Sequence, residues 1–437
     1  MNPLNLVIRI SGEWSFLVIH KLSIHRSTNQ HGRLEIRGII DSQVEVEEKC
    51  FYGTAIELVM LLEKKEKLIF KGVVQEIEVF HNGKYKEMEL LALTGTCLLD
   101  EEKKSRSFQE VGMTYGEVIK TLIKDIPDSA VICTEGKERI GRPLIQYEET
   151  DWEFIGRLAS LAETAVIPEV KSGLPKFWFG MRKGALPLEL PDFTGKAVIH
   201  NQYKKTGCNQ KHNISYVFLG EPGMEIGDKV IIEGCEWIIY QIDGELSAGE
   251  FLFKYWVGKG KPGIQEKIHK DVRSGMSLKG RVEKTEKEKV TIKLEIDGKG
   301  GQGAYGYEYR PITGQVLYGM PEKGTEVSLQ YLTADERGAV ISDNAGCHSD
   351  SITTKDSSHK RFETDCNKNL FLFPSAMGLS SADQNGRMSK VTMADRDGML
   401  IDSSRNITIA ADGPVTIKAA NIQVHAPCSI DIIQTGT

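Results

Sequence analysis

The sequence predicts a mainly β chain with a helical insert: two strand-rich barrels, a small OB-type barrel and a repetitive β tail. Three observations carry that prediction. Apolar and polar residues alternate through the first hundred residues and again beyond about Gly207, the period of a strand with one buried face. Two capped helix starts lie between those stretches. Near the C-terminus, four apolar–polar–apolar units recur every seven or eight residues.

Leu6, Ile8 and Ile10 open the first alternating stretch. Phe70–Phe80 and Tyr85–Leu93 flank His81-Asn82-Gly83-Lys84, and Asn-Gly between such runs predicts a hairpin in which Gly83 takes a positive φ. Thr114-Tyr115-Gly116-Glu117 reads as a capping box, followed by an apolar face of Val118, Ile119, Leu122, Ile123 and Ile126 and a stop at Pro127. Thr150-Asp151-Trp152-Glu153 is a second box, with Trp152, Ile155, Leu158, Ala159 and Ala162 as its stripe. Lys229–Ile232 and Glu236–Ile239, then Trp237–Ile242 and Glu250–Val257, meet at glycine turns and echo the first stretch. Two related barrels around a helical insert are therefore expected. Lys259–Gly263 reads as a linker. Leu278–Val282, Lys289–Ile296, Gln315–Tyr318, Glu326–Tyr331 and Ala339–Ile341 make five short strands, the number in an OB-type barrel. A polar connector from Gly346 leads to the tail units Asn406–Ile409, Pro414–Ile417, Asn421–Val424 and Ser429–Ile432.

Composition narrows the function. The formal net charge is -6, and the lysine-rich stretches 63–67 and 283–289 are interleaved with Glu, so no nucleic-acid surface is expected. The N-terminus lacks the basic and apolar regions of a signal peptide, and no apolar run approaches the roughly 20 residues of a membrane helix. Cys50, Cys97, Cys133, Cys208, Cys235, Cys347, Cys366 and Cys428 show no CxxC or CxxH spacing, and reduced thiols without zinc are expected. The histidines form no HxH or HExxH pair, and His425 stands alone, so no metal is assigned. Gly301–Gly306 matches GxGxxG, but Tyr305, Tyr307 and Tyr309 alternate behind it and Pro311 follows. A barrel loop is expected there, and no cofactor. Glu148, Glu149, Asp151 and Glu153 would suit paired hydrolytic carboxylates, yet helix capping accounts for two of the positions, and no catalytic residue is assigned.

Two stretches carry a resemblance. Ile145–Leu158 contains Tyr147-Glu148-Glu149-Thr150-Asp151, then Glu153, Phe154, Arg157 and Leu158; Tyr318–Val327 contains Met320-Pro321-Glu322 and Gly324. In this order, and followed by a repetitive tail, they resemble the VgrG and phage late control D families, the hub-and-spike proteins of contractile injection systems. The resemblance implies a first hub barrel over 1–100, a helix-containing hub insert over 101–200 and a second hub barrel over 201–265. It implies an OB-fold collar over 270–345, a connector over 346–368 and an intertwined trimeric β-helix spike over 369–437. Thr150, Asp151, Glu153, Phe154, Arg157, Leu158, Pro321 and Gly324 would be structural motif residues. The implied partners are two further copies of the chain, a tail tube protein, baseplate components and a separate PAAR-like tip protein, with the target envelope touched only transiently. The protein would be made in the cytoplasm and assembled into a baseplate.

Strand geometry puts Ile407, Ile409, Val415, Ile417, Ile422, Val424, Ile430 and Ile432 on one face and Thr408, Thr416, Gln423 and Asp431 on the other; in the trimeric spike that the resemblance implies, the first set would lie against the threefold axis and the second would face water. A non-enzymatic structural role is expected. A tail-tip cell-wall hydrolase and a carbohydrate-binding adhesin are the alternatives, and the kind of particle is left open.

Overall fold

A computed structural model of the chain describes residues 6–10, 16–43, 53–62, 65–184, 187–190, 193–199, 214–268, 275–301, 303–310, 319–333, 336–344, 358–364 and 366–433. Strands dominate, and the chain divides into two compact units, Met1–Gly346 and Cys347–Thr437.

The first unit begins with β1 (Leu6–Ile10), β2 (Phe16–Ser27), β3 (Arg33–Ile40), β4 (Ala55–Leu62), β5 (Lys65–His81) and β6 (Lys86–Leu93). The β5–β6 hairpin turns where Asn-Gly placed it: Gly83 has φ 72° and the Asn82 amide donates to the Tyr85 carbonyl at 3.1 Å. The insert holds β7 (Lys104–Phe108), α1 (Tyr115–Ile123), β8 (Ala130–Cys133), β9 (Leu144–Glu149), α2 (Asp151–Leu161), β10 (Val166–Pro168) and β11 (Lys176–Phe179). Both helices start in reciprocal capping boxes, Thr114 with Glu117 and Thr150 with Glu153. Their apolar stripes form one core: Val118, Ile119, Leu122, Ile155 and Leu158 are fully buried against Phe177 and Phe179.

A second strand set follows: β12 (Leu188–Glu189), β13 (Gly195–Ile199), β14 (Ile214–Gly220), β15 (Lys229–Ile232), β16 (Cys235–Ser247) and β17 (Glu250–Gly258). Here the structure corrects two expectations. β12 and β13 lie before residue 200 yet belong to the large sheet, so the insert is shorter than 101–200. The two expected barrels are not separate, because all twelve strands join one sheet. The join is antiparallel pairing of Ser23–Ser27 in β2 with Gln241–Glu245 in β16. One apolar core serves both halves, from Leu22, Leu34 and Phe70 to Ile239, Tyr255 and Val257.

The halves repeat each other. Their strand orders are β1-β4-β5-β6-β3-β2 and β12-β15-β16-β17-β14-β13, the same permutation of six strands. Both long fifth strands carry a register shift at the same place, between Val74 and Glu76 in β5 and between Ile239 and Gln241 in β16. The pairing differs only at the outer pair, antiparallel for β1–β4 and parallel for the two-residue β12.

The unit ends in a closed five-stranded barrel: β18 (Ser277–Glu286), β19 (Lys289–Leu294), β20 (Gly306–Tyr309), β21 (Glu326–Tyr331) and β22 (Ala339–Asn344), in the order β18-β19-β20-β22-β21. Its third strand is Gly306–Tyr309, where Tyr307 fills the core; the expected Gln315–Tyr318 lies outside the described residues. The GxGxxG stretch therefore leads into a strand. Nor does β19 reach Ile296, since Glu295–Gly300 turns as a short 3-10 segment.

The second unit is a meander, β23 (Lys360–Thr364), β24 (Lys368–Phe373), β25 (Ala376–Ala382), β26 (Met388–Ala394) and β27 (Gly398–Ser403), paired in sequence. β23 takes up the end of the expected connector. The four tail units are not strands in the isolated chain: none is formed over the described residues 404–433, because no neighbouring strand is present to complete their hydrogen bonds.

Candidate functional site

The residues of the two stretches singled out in the sequence build a buried junction rather than a cleft. Thr150 caps α2: its Oγ1 accepts from the Glu153 amide at 3.1 Å, while its own amide donates to Glu153 Oε2 at 3.0 Å. The same hydroxyl also donates to Asp100. Asp151, 1% exposed, accepts from Lys104 Nζ at 2.7 Å, from Gln146 Nε2 at 3.0 Å and from Arg106. Its charge thus ties the helix start to β7 and β9. Phe154 and Leu158 fill the insert core.

Arg157 does the widest bridging. Fully buried, it grips both oxygens of Glu149 through Nε and Nη2 at 3.0 and 2.9 Å, gives Nη1 to Glu336 Oε1 at 2.8 Å and bonds the Ile145 carbonyl at 2.6 Å. Its guanidinium lies 4.6 Å over the Phe154 ring. A planar fork that satisfies several acceptors at once is what makes a buried arginine tolerable. Glu336 belongs to the five-stranded barrel, so Arg157 clamps that barrel to the insert. Sequence reasoning placed Arg157 but missed Glu336, 179 residues away, for which no local signal exists.

The second motif meets the first. Ile145 and Tyr147 pack into the barrel core together with Met320. Pro321 is buried, and Gly324 turns the chain at φ 90°, a conformation that a side chain would strain, so that its amide reaches the Val282 carbonyl at 2.8 Å. Ser107 adds a further tie through its amide to Asp297, at 2.5 Å. Three of the four acids considered for hydrolysis are engaged here: Glu149 and Asp151 in ion pairs and Glu153 in the helix cap. Among the described residues no group of three or more His, Cys, Asp or Glu is arranged to hold a metal.

A second polar cluster locks the joint between the halves. His25 Nδ1 lies 2.7 Å from Asp243, which also accepts from Trp256 Nε1 at 2.7 Å and Gln241 Nε2 at 3.0 Å. Beside it, Arg26 pairs with Glu225, and burial pushes the guanidinium down to about 10.

The second unit presents a different surface. Cross-strand register lines up Phe362, Leu370, Leu379, Val391 and Ile401 in one row across all five strands of the meander. Leu372, Met377, Met393 and Met399 extend that apolar face in the next row. The first row lines a groove of about 450 Å³ that Ile407 also borders. Little of this is covered: Leu379 is 58% exposed and Ile401 49%. The expected spike-core residues are exposed as well, from Ile407 at 52% to Ile432 at 94%. Val415, Ile417, Ile422, Val424, Ile409 and Ile430 fall between those limits. Contiguous apolar surface of this kind marks an interaction face.

The large sheet is duplicated, the barrel is clamped to the insert, and the second unit leaves an apolar face bare. No protein-family model matches the chain, and no curated protein matches it by sequence. Solved structures do match. One is the Escherichia coli protein c3393, a component of the type VI secretion system with structural similarity to the T4 bacteriophage tail proteins gp27 and gp5. It superposes with a TM-score of 0.55 at 12% identity, covering 77% of this chain and 99% of that one. Another is a chain of the Francisella PdpA–VgrG complex, at a TM-score of 0.59 and 10% identity over 91% of this chain and 87% of that one. The chain has the fold of these proteins.

Proposed function

We propose that the chain is the hub-and-spike subunit of a contractile, phage-tail-like injection system and works as a homotrimer. The observation that carries this is the bare apolar row of the meander, continued by the apolar positions of the four tail units. A single chain gives those side chains no partner, whereas three chains around one axis bury them against each other and supply the missing strands for 404–433. The duplicated sheet supports a hub in which three chains present six similar halves to a tail tube. The barrel's first-second-third-fifth-fourth strand order supports an OB-type collar, held to the hub by Arg157. Sheath contraction then drives the spike, and a tip protein would cap its end. Baseplate components surround the hub, and the envelope is touched only as it is pierced.

The test is a pair of substitutions on opposite faces of one tail unit. Ile417→Asp places three charges on the axis, each costing several kcal/mol by order of magnitude if left unpaired; Thr416→Asp places them in water. Trimer yield and protease resistance of the tail should collapse for the first and persist for the second. Equal behaviour of the two rejects the packing.

A further inference from the structure

We infer that the joint between β2 and β16 is repeated between two copies of the chain, with the outer edge of β13 pairing onto the free edge of β5 in a register fixed by the internal repeat. The inference rests on the trimeric reading above and deepens it.

Inside one chain, β15 leaves the edge of β16 at Ile238, and the Ile239 amide donates to the Asp228 carbonyl at 2.9 Å. Beyond that point β2 takes over the edge, from Gln241 to Glu245. In the first half, β4 leaves β5 at Val73, and the Val74 amide donates to the Thr54 carbonyl, also at 2.9 Å. Beyond that point nothing takes over among the described residues. The strand that corresponds to β2 in the second half is β13. It pairs only with β14, so its outer edge is likewise unpaired among the described residues. Each chain thus carries one finished joint and the two halves of another, on different surfaces. Such a heterologous contact closes into a ring when copies are related by rotation.

The repeat sets the register. The shared irregularity equates Ile239 with Val74, and hence Ile242 with Ile77 and Gly244 with Val79. Across the sheet, Val257 corresponds to Ala92, Tyr216 to Leu34 and Ala197 to Ile24. The observed pairs Ile24 with Gly244 and Arg26 with Ile242 therefore become Ala197 with Val79 and Ile199 with Ile77. The chemistry fits. Ile77 and Val79 already rim the large core, and Ile199, 70% exposed in the single chain, would extend it. On the other face, Val198 falls opposite Glu78, and Lys196 lies opposite Phe80 and diagonal to Glu78, within reach of an ion pair. The intrachain joint is locked by His25 with Asp243 and Arg26 with Glu225; the joint between copies is chiefly apolar.

Cysteine cross-linking of the full chain tests the register. Ile199→Cys with Ile77→Cys places two thiols directly opposite each other, at disulfide distance. Oxidation should yield linked two-chain and three-chain species above the level of the parent chain. Ile199→Cys with Glu78→Cys, slipped by one residue onto the opposite face, should stay at the parent level. Native mass spectrometry of the unmodified chain separates the two claims. A trimer without the Ile199–Ile77 link, or with linking only in the slipped pair, overturns the register and leaves the trimer standing. A monomer overturns both. Should the variants misfold, hydrogen exchange of the unmodified trimer decides: slow amides in 195–199 and 76–80 support the joint, and exchange at the rate of open strand overturns it.

Discussion

Arg157 shows how one motif residue can hold two parts of a chain together. Its guanidinium is shared between Glu149 beside it in the insert and Glu336 in the barrel. Arg157→Ala would take the guanidinium from two carboxylates in a site closed to water. Removal of one member of a buried ion pair costs about 3–5 kcal/mol, more than the pair itself contributes net. The expected outcome is an unfolding free energy of the first unit lower by that amount, read as a denaturant midpoint moved to lower concentration. A shift below about 1 kcal/mol would place the network in solvent.

A different residue pair responds to pH. The hydrogen bond to Asp243 raises the pKa of His25, outweighing its burial and the nearby Arg33. Burial pushes the Asp243 carboxyl up, but bonds from His25, Trp256 and Gln241 outweigh that and hold it below its ordinary value. The raised histidine contributes stability that is complete below its unfolded pKa of about 6.5 and is lost as pH rises through the folded value. The lowered aspartate contributes above its unfolded pKa of about 3.9, and that is lost as pH falls through the folded value. The pair is thus strongest between about pH 4 and 6.5. Melting curves across pH should fall on the alkaline side in the parent chain, and His25→Asn should flatten that fall. The same alkaline fall in the variant would assign it to another group.

At the scale of elements, local signals were legible and distant ones were not. Both capping boxes form as read because Thr and Glu three residues apart meet within one turn, whatever the rest of the chain does. Thr150→Ala removes the acceptor for the Glu153 amide, and a lost cap costs about 0.5–2 kcal/mol. Thermal melts should fall accordingly, while Thr150→Ser should restore most of the loss. The hairpin at Gly83 was legible for the same local reason. The pairing of Ser23–Ser27 with Gln241–Glu245 was not, because strand partners two hundred residues apart leave no mark in either strand's own pattern. The two-residue β12 is too short to show alternation at all. The strand Gly306–Tyr309 is not read in the sequence, because its alternating tyrosines count there only as evidence against a helix. The tail units carry the period of strands, but a period specifies a face and not a partner, so in one chain they stay unpaired.

At the scale of the whole molecule, the described residues leave apolar surface and strand edges uncovered. The meander's apolar row and the isoleucines and valines of the tail are exposed, and among the described residues the outer edges of β13 and of β5 beyond Val74 have no strand partner. Exposed strand edges and apolar faces promote uncontrolled association unless a defined partner covers them. In the proposed trimer, copies of the same chain would cover all three features at once, and closure by rotation would end the association at a fixed number. The central claim is therefore a stoichiometry. Native mass spectrometry of the purified full-length chain tests it most directly. The account predicts a single assembly of three times the 48.7 kDa chain, unchanged on dilution, with a tail that resists protease. A folded 48.7 kDa monomer whose residues 404–433 resist protease unaided would contradict it.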